Sequence, residues 1–178
     1  MAFIPEVPEE EAGPELQQSY TKIREEFGWL PHFWQAQGSR PELMRANLDL
    51  WALLYRSGVL PSALKEEILL VVSAVNSSSY CIAAHLELLQ RLGIDKKLGR
   101  QIARDFESTE LPEKEKSLFR FAAKLTREPF GIVEEDVSEL RRNGWDNGSI
   151  LEAFLVASHA NYINRMASAL GVVPTEIL

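Results

Sequence analysis

Apolar side chains recur along this chain every third or fourth residue, the interval that lines up one face of an α-helix. Leu16, Tyr20, Ile23 and Phe27 mark a helix from about Glu15 to Phe27, and Gly28 ends it. Pro41 opens a second, whose apolar face of Leu43, Leu48, Trp51, Leu54 and Tyr55 runs up to Gly58. After Pro61-Ser62, a start signal, every residue from Ile68 to Val75 except Ser73 is apolar or small, so this helix is expected to be surrounded by others. Its length and its glutamate-rich entry favour a helix over a buried strand. Asn76-Ser77-Ser78-Ser79 competes with the helical backbone and breaks it, and a further helix runs from one of these serines to Gly93.

Beyond Gly93, Asp95 caps a short helix with Leu98, Ile102 and Phe106 on one face. Pro112 starts another, lined by Leu118, Phe121, Ala122 and Leu125. Val133 to Arg142 is amphipathic, and Ile150 to Leu170 is the last long helix, stopped by Gly171. No stretch alternates apolar and polar residues over the length a strand needs. The fold class expected is all-α, a single-domain helical bundle of about seven or eight helices over residues 15–178. Residues 1–14, rich in proline and glutamate and without a helical stripe, read as an extended N-terminal arm.

Composition narrows the partners. The hydrophobic fraction of 46% suffices for a core, and 19 basic against 26 acidic residues give a formal charge of −7. That balance argues against nucleic acid or an anionic membrane surface as the main partner. No eighteen-residue apolar run and no basic-then-apolar leader occurs, so a cytoplasmic protein is the expectation. A single cysteine excludes an intrachain disulfide and a cysteine-rich zinc site. No glycine-rich phosphate loop or clustered metal ligands appear, so no cofactor and no metal are expected.

The candidate chemistry lies between Ser62 and Gly93. Cys81, the only cysteine, precedes His85 by four residues, so both face one side of a helix. With Ser78 as N-cap, Cys81 falls in the first turn, where free N–H groups and the helix dipole stabilise a thiolate. Glu66 and Glu67 head the preceding helix and reach the pair if the two helices fold back on each other. The plainer reading is an inert core cysteine with a hydrogen-bonded histidine beside it. Elsewhere, the rings of Trp29, Phe33 and Trp34 read as a plug between helices. His159, Asn161, Asn164 and Arg165 read either as a packing network or as polar groups around Cys81, with Arg165 lowering the thiol's pKa.

These residues resemble the active-site segment of the alkylhydroperoxidase D and carboxymuconolactone decarboxylase superfamily, particularly its peroxidase-related branch. The pattern there is a glutamate, a C-x-x-C pair, and a histidine four residues past the second cysteine. Glu66 matches the glutamate, Cys81 the second cysteine and His85 the histidine, while Ser78 stands at the first cysteine position. Tyr80 beside Cys81 is similar to the peroxidase side. Gly28-Trp29-Leu30-Pro31, Arg40-Pro41-Glu42-Leu43 and Asn161-Tyr162-Ile163-Asn164-Arg165 extend the likeness along the chain.

The resemblance implies an AhpD-like helical fold and a homo-oligomer. It implies an antioxidant thiol peroxidase in which Glu66 and His85 relay the proton of Cys81, which then attacks a hydroperoxide. Ser78 cannot form the resolving disulfide, so an external thiol reductant is implied. Tyr80, His159 and Arg165 are expected around that site, and His32 borders the same pocket. Two alternatives stay open: a non-catalytic homo-oligomeric member of the fold, and a lactone decarboxylase-like enzyme.

Overall fold

The computed structural model describes residues 2–174, so the last four residues of the domain delimited from sequence lie outside the described residues. Among the described residues there are nine α-helices, three 3-10 turns and no strand. The helices are α1 (Pro14–Phe27), α2 (His32–Gln35), α3 (Pro41–Arg56), α4 (Ser62–Val75), α5 (Ser79–Arg91), α6 (Lys96–Asp105), α7 (Glu113–Arg127), α8 (Glu134–Arg142) and α9 (Asn147–Leu170). The addition to the helices expected from sequence is α2, a single turn inside the aromatic segment that buries Phe33 and Trp34.

At the centre lies α4, packed against α3, α5, α6, α7 and α9. Every residue from Leu64 to Ser73 is buried. Its apolar run is therefore enclosed on all sides, and its entry carries three charged residues, Lys65, Glu66 and Glu67, into the same interior. Lys65 donates to the carbonyls of Leu54 and Ser57 and pairs with Glu152 of α9. Glu152 in turn accepts from the N–H groups of Val59 and Leu60 at 2.7 and 3.1 Å. This locks the α3–α4 connection onto α9. Burial pushes the Glu152 carboxyl up, but Lys65 and the two N–H groups outweigh it, and the net shift is downward.

Helix ends follow the capping chemistry. Asp95 accepts from the N–H of Lys97 at 2.8 Å, as expected. Asp146 accepts from Ser149 N–H at 2.8 Å, so α9 begins at Asn147, earlier than Ile150. Ser62 does not cap α4; Pro61 is the N-cap, and the Ser62 hydroxyl turns back to the Tyr55 carbonyl at 3.3 Å. The turn into α5 is tight. Ser77 adopts φ 55, and Ser78 N–H reaches the Ser73 carbonyl at 2.9 Å, so α5 folds straight back along α4.

The N-terminal arm lies across the body. Phe3 N–H bonds the Leu170 carbonyl at 2.8 Å, Val7 N–H the Gln35 carbonyl at 3.1 Å, and the Tyr20 hydroxyl the Val7 carbonyl at 2.8 Å. His32 reaches Glu6 at 2.8 Å and so holds the arm, away from the interior. No helix among the described residues is long and apolar enough to cross a membrane.

Glu67, unlike Lys65 and Glu66, has no ion-pair or hydrogen-bond partner of opposite character among the described residues, and the nearest charge that acts on it is another carboxylate. Burial, then the charge of Glu115 on α7, pushes its pKa from 4.5 up to about 7. A carboxyl raised on folding contributes most below the unfolded value, and that contribution is lost as pH rises through the folded value. Glu67→Gln, which mimics the protonated form, is therefore expected to match the native protein near pH 4. Above pH 8 it should be more stable, on the order of 2 kcal/mol. Urea unfolding at the two pH values checks this, and an equal effect at both would contradict it.

Candidate active site

The α4–α5 reversal decides what meets at the site. Because α5 returns along α4, Glu66 in the second turn of α4 comes opposite His85 in the second turn of α5. Glu66 Oε2 lies 2.8 Å from His85 Nδ1, with Glu66 only 1% and His85 6% exposed. Among the described residues no hydrogen bond reaches the ring's Nε2. Ser78 is the N-cap of α5, which places Cys81 at its third residue and His85 one turn further on the same face. Both Cys81 and His85 line a cavity of about 40 Å³.

Aromatic side chains wall that cavity: Phe27, Trp29, Phe33, Trp34 and Trp51, with Ile163 from α9. The rings brace one another, Phe27 against Trp51 at 4.5 Å and Phe33 edge-on to Trp34 at 5.1 Å. The plug read from sequence is thus a core cluster that also shapes the pocket over the thiol. Trp29 forms its outer wall, and the Arg91 guanidinium lies over that ring at 5.2 Å. The same guanidinium occupies the space beside Gly28, where φ is +80 and a Cβ would sit 1.9 Å from Arg91 Nη1. A larger groove of about 640 Å³ lies between α4, α6 and α7, but no cysteine or histidine lines it.

Cys81 is 1% exposed and free. Burial pushes its thiol pKa up; hydrogen bonds with the Ser78 hydroxyl and the Asn164 amide pull it down by less. This corrects the helix-start argument, in which the dipole was expected to depress the pKa. Desolvation of a nearly enclosed sulfur is the larger effect, so the resting form is the thiol.

The other expected residues divide. The Ser78 side chain, which makes no capping bond, is turned to the sulfur. Tyr80 lines the cavity, and its hydroxyl accepts from Phe33 N–H at 3.1 Å, fixing the aromatic segment on α5. His159 stands apart from the cavity, 2.9 Å from the Tyr55 hydroxyl. Arg165 does not reach the thiol. It is exposed and bonds the Asn161 carbonyl and side chain at 3.0 and 2.7 Å. Its link to Cys81 runs through Asn161, Asn76 and Asn164, since Asn76 Nδ2 donates to both asparagine oxygens at 2.9 and 3.0 Å.

Sequence reasoning singled out Asn164 only as unusual polarity; it is the residue of that cluster that touches the sulfur, held by Ser73 Oγ at 3.1 Å. The spacing of Tyr55 marks an apolar face and does not reveal the hydroxyl contact it makes with His159. Among the described residues no three His, Cys, Asp or Glu side chains gather as metal ligands would.

Residues 41–104, from the start of α3 to the end of α6, match the Carboxymuconolactone decarboxylase family. No curated protein matches the chain. Among solved structures, an uncharacterized peroxidase-related protein from Silicibacter sp. TM1040 is 27% identical, with a TM-score of 0.88 over 96% of this chain and 90% of that one. A second peroxidase-related protein, described as an alkylhydroperoxidase AhpD core, from Ralstonia eutropha JMP134, is 22% identical, with a TM-score of 0.90 over 98% and 93%. The debrominase Bmp8, in complex with 2,3,4-tribromopyrrole, is 19% identical, with a TM-score of 0.87 over 98% and 92%. The last two likenesses, by themselves, show a shared fold. The family match lies over α3–α6, which carry the buried glutamate, cysteine and histidine. This segment is therefore similar to the Carboxymuconolactone decarboxylase family, and the whole chain shares the fold of the AhpD-like peroxidase-related proteins.

Proposed function

We propose that this protein is a one-cysteine thiol oxidoreductase that reduces hydroperoxides at Cys81. The observation that carries the reading is the buried Glu66–His85 contact of 2.8 Å on the cavity that holds the only thiol. A thiol whose pKa is raised by burial is a poor nucleophile at neutral pH. It reacts only if a base within the same enclosure takes its proton. With Glu66 receiving the Nδ1 hydrogen, His85 Nε2 holds the lone pair that can do so.

His85 takes the Cys81 proton, and the thiolate attacks the outer peroxide oxygen. The O–O bond breaks, and the departing alkoxide takes the proton back from His85 as the alcohol. Cys81 is left as a sulfenic acid. Ser78 has no sulfur to trap it, so an external thiol condenses with it to a mixed disulfide and water. A second external thiol then restores Cys81 and leaves as a disulfide.

The aromatic walls favour a second reading, by analogy with the debrominase. A flat halogenated aromatic that parts Phe27, Trp29 and Trp51 to enlarge the small cavity would give its halogen to the thiolate and take the His85 proton on carbon. The resulting sulfenyl halide would then be cleared as halide by the external thiol. Both readings draw on the same thiol and the same base. Measuring sulfenic acid after cumene hydroperoxide, and halide release from a brominated pyrrole, separates them. An unreactive Cys81 in both assays would leave a non-catalytic member of the fold.

His85→Ala is expected to slow oxidation of Cys81 by cumene hydroperoxide about a hundredfold, the usual contribution of a positioned base, as followed by stopped-flow tryptophan fluorescence. A rate within threefold of the native one would remove the relay. Ser78→Cys should convert the sulfenic acid into an intrachain disulfide with Cys81, visible as a loss of two mass units under peroxide. Ser78 is the N-cap and Cys81 the third residue of the same helix, the i,i+3 arrangement that C-x-x-C proteins bridge. Persistence of the sulfenic acid in that variant would contradict the geometry.

A homo-oligomer is part of the same proposal. Leu50 and Leu53 of α3 and Leu151 and Leu155 of α9 are 45%, 65%, 58% and 47% exposed, an apolar stripe on two neighbouring helices. Light scattering should report at least a dimer at micromolar concentration, and Leu53→Glu with Leu151→Glu should yield monomers. A monomeric native protein would refute it.

A further inference from the structure

Two buried side-chain atoms among the described residues have no hydrogen-bond partner in the protein: Glu66 Oε1 and His159 Nε2. Orphans of this kind are uncommon, because a polar atom removed from water without a partner is costly. The residues that own them are connected through Tyr55. Its hydroxyl lies 2.9 Å from His159 Nδ1. Burial, then the Glu66 carboxylate, pushes the phenol well above its ordinary pKa, so Glu66 is within electrostatic reach of it. Tyr55 also packs at 5.6 Å on Trp51, a wall of the Cys81 cavity.

One placement of hydrogens accounts for both orphans. Burial lowers the His159 pKa to about 4, so at neutral pH its ring carries one N–H and one lone pair. A buried N–H without an acceptor is the rarer case, and an acceptor short of a donor is better tolerated. Nε2 is therefore the bare acceptor, and Nδ1–H donates to the Tyr55 oxygen. The phenol hydrogen is then unspent. The buried acceptor without a donor whose charge acts on that phenol is Glu66 Oε1.

We propose that Tyr55 and His159 are positioning residues for the Glu66–His85 pair. His159 Nδ1–H orients the Tyr55 hydroxyl toward Glu66 Oε1, and this second donor keeps the His85 hydrogen on Nδ1 and its lone pair on Nε2. The other charges of α4 are engaged elsewhere, Lys65 with Glu152 and Glu67 in the field of Glu115. The groups acting around the pair are thus Cys81 from α5, Tyr55 from α3 and His159 from α9. Without the Tyr55 donor, the enclosed carboxylate is better off protonated. It then donates to His85 Nδ1, the ring hydrogen moves to Nε2, and the base is lost until a higher pH removes that proton. The inference rests on Cys81 as the reacting group and not on peroxide as its substrate.

Two measurements test it. The ¹⁵N chemical shifts of His159 in the intact protein should show Nδ1 protonated and Nε2 bare at pH 7; the opposite tautomer overturns the proposal. The rate of Cys81 alkylation by iodoacetamide is then followed against pH. Tyr55→Phe and His159→Leu should move the acid limb upward by about one pH unit, the scale of one hydrogen bond to a charged group. His159→Asn, whose Nδ2–H replaces Nδ1–H, should recover most of that shift. A rate lowered equally at every pH, with the limb unmoved, means looser packing alone and also overturns it. Peroxide enters neither measurement, so a Cys81 that alkylates normally but ignores hydroperoxides would sink the peroxidase reading and leave this one standing.

Discussion

The structure depends on how a fully enclosed helix accommodates three adjacent charges. Burial of Leu64 to Ser73 on every side of α4 supplies the hydrophobic centre of the molecule, yet it takes Lys65, Glu66 and Glu67 out of water as well. Each unpaired charge in that position would cost several kcal/mol. The three are resolved differently. Lys65 is satisfied by Glu152 and two carbonyls, which fixes the α3–α4 connection. Glu66 is satisfied on one oxygen by His85. Glu67 has only another carboxylate for company and shifts toward the neutral form. The same physical constraint thus yields a structural anchor, the partner of the candidate base His85, and a titrating group within three residues.

The enclosure that disciplines α4 also sets the chemistry at Cys81. A sulfur with 1% exposure gains little from solvent, and two hydrogen-bond donors do not offset what burial removes. A resting thiolate would be the arrangement for a cysteine that meets its oxidant at the surface. Here burial keeps the proton on sulfur, and the proposed reaction has His85 take it. The burial that raises the thiol's pKa also strengthens the Glu66–His85 contact, since charges and dipoles act at greater strength away from water. A protected thiol and an enclosed base are two consequences of one cavity.

The Ser78 hydroxyl occupies the place from which a second sulfur would act. It offers the thiol a hydrogen bond but not a disulfide, so in the proposed cycle the oxidised state is resolved by an external thiol. Trp29 is the most exposed ring of the cavity wall, and the Arg91 guanidinium that covers it also fills the space beside Gly28.

Much of this was legible in the sequence because it depends on local periodicity. Four-residue spacing places Cys81 and His85 on one face, and the apolar run of α4 announces a central helix. The serine-rich break implies a return, and only a return brings Glu66 to His85. What was not legible depends on distances across the fold. Arg165 and Asn164 are chain neighbours, yet one faces solvent and the other the sulfur, because α9 turns about 100° between them. The sign of the Cys81 shift also escaped, since a helix start is visible in sequence and the ring of aromatics that desolvates it is not. Tyr55 illustrates the limit most clearly. Its spacing assigns it to an apolar face, correctly, and nothing in that spacing shows that its hydroxyl lands on a histidine 104 positions later.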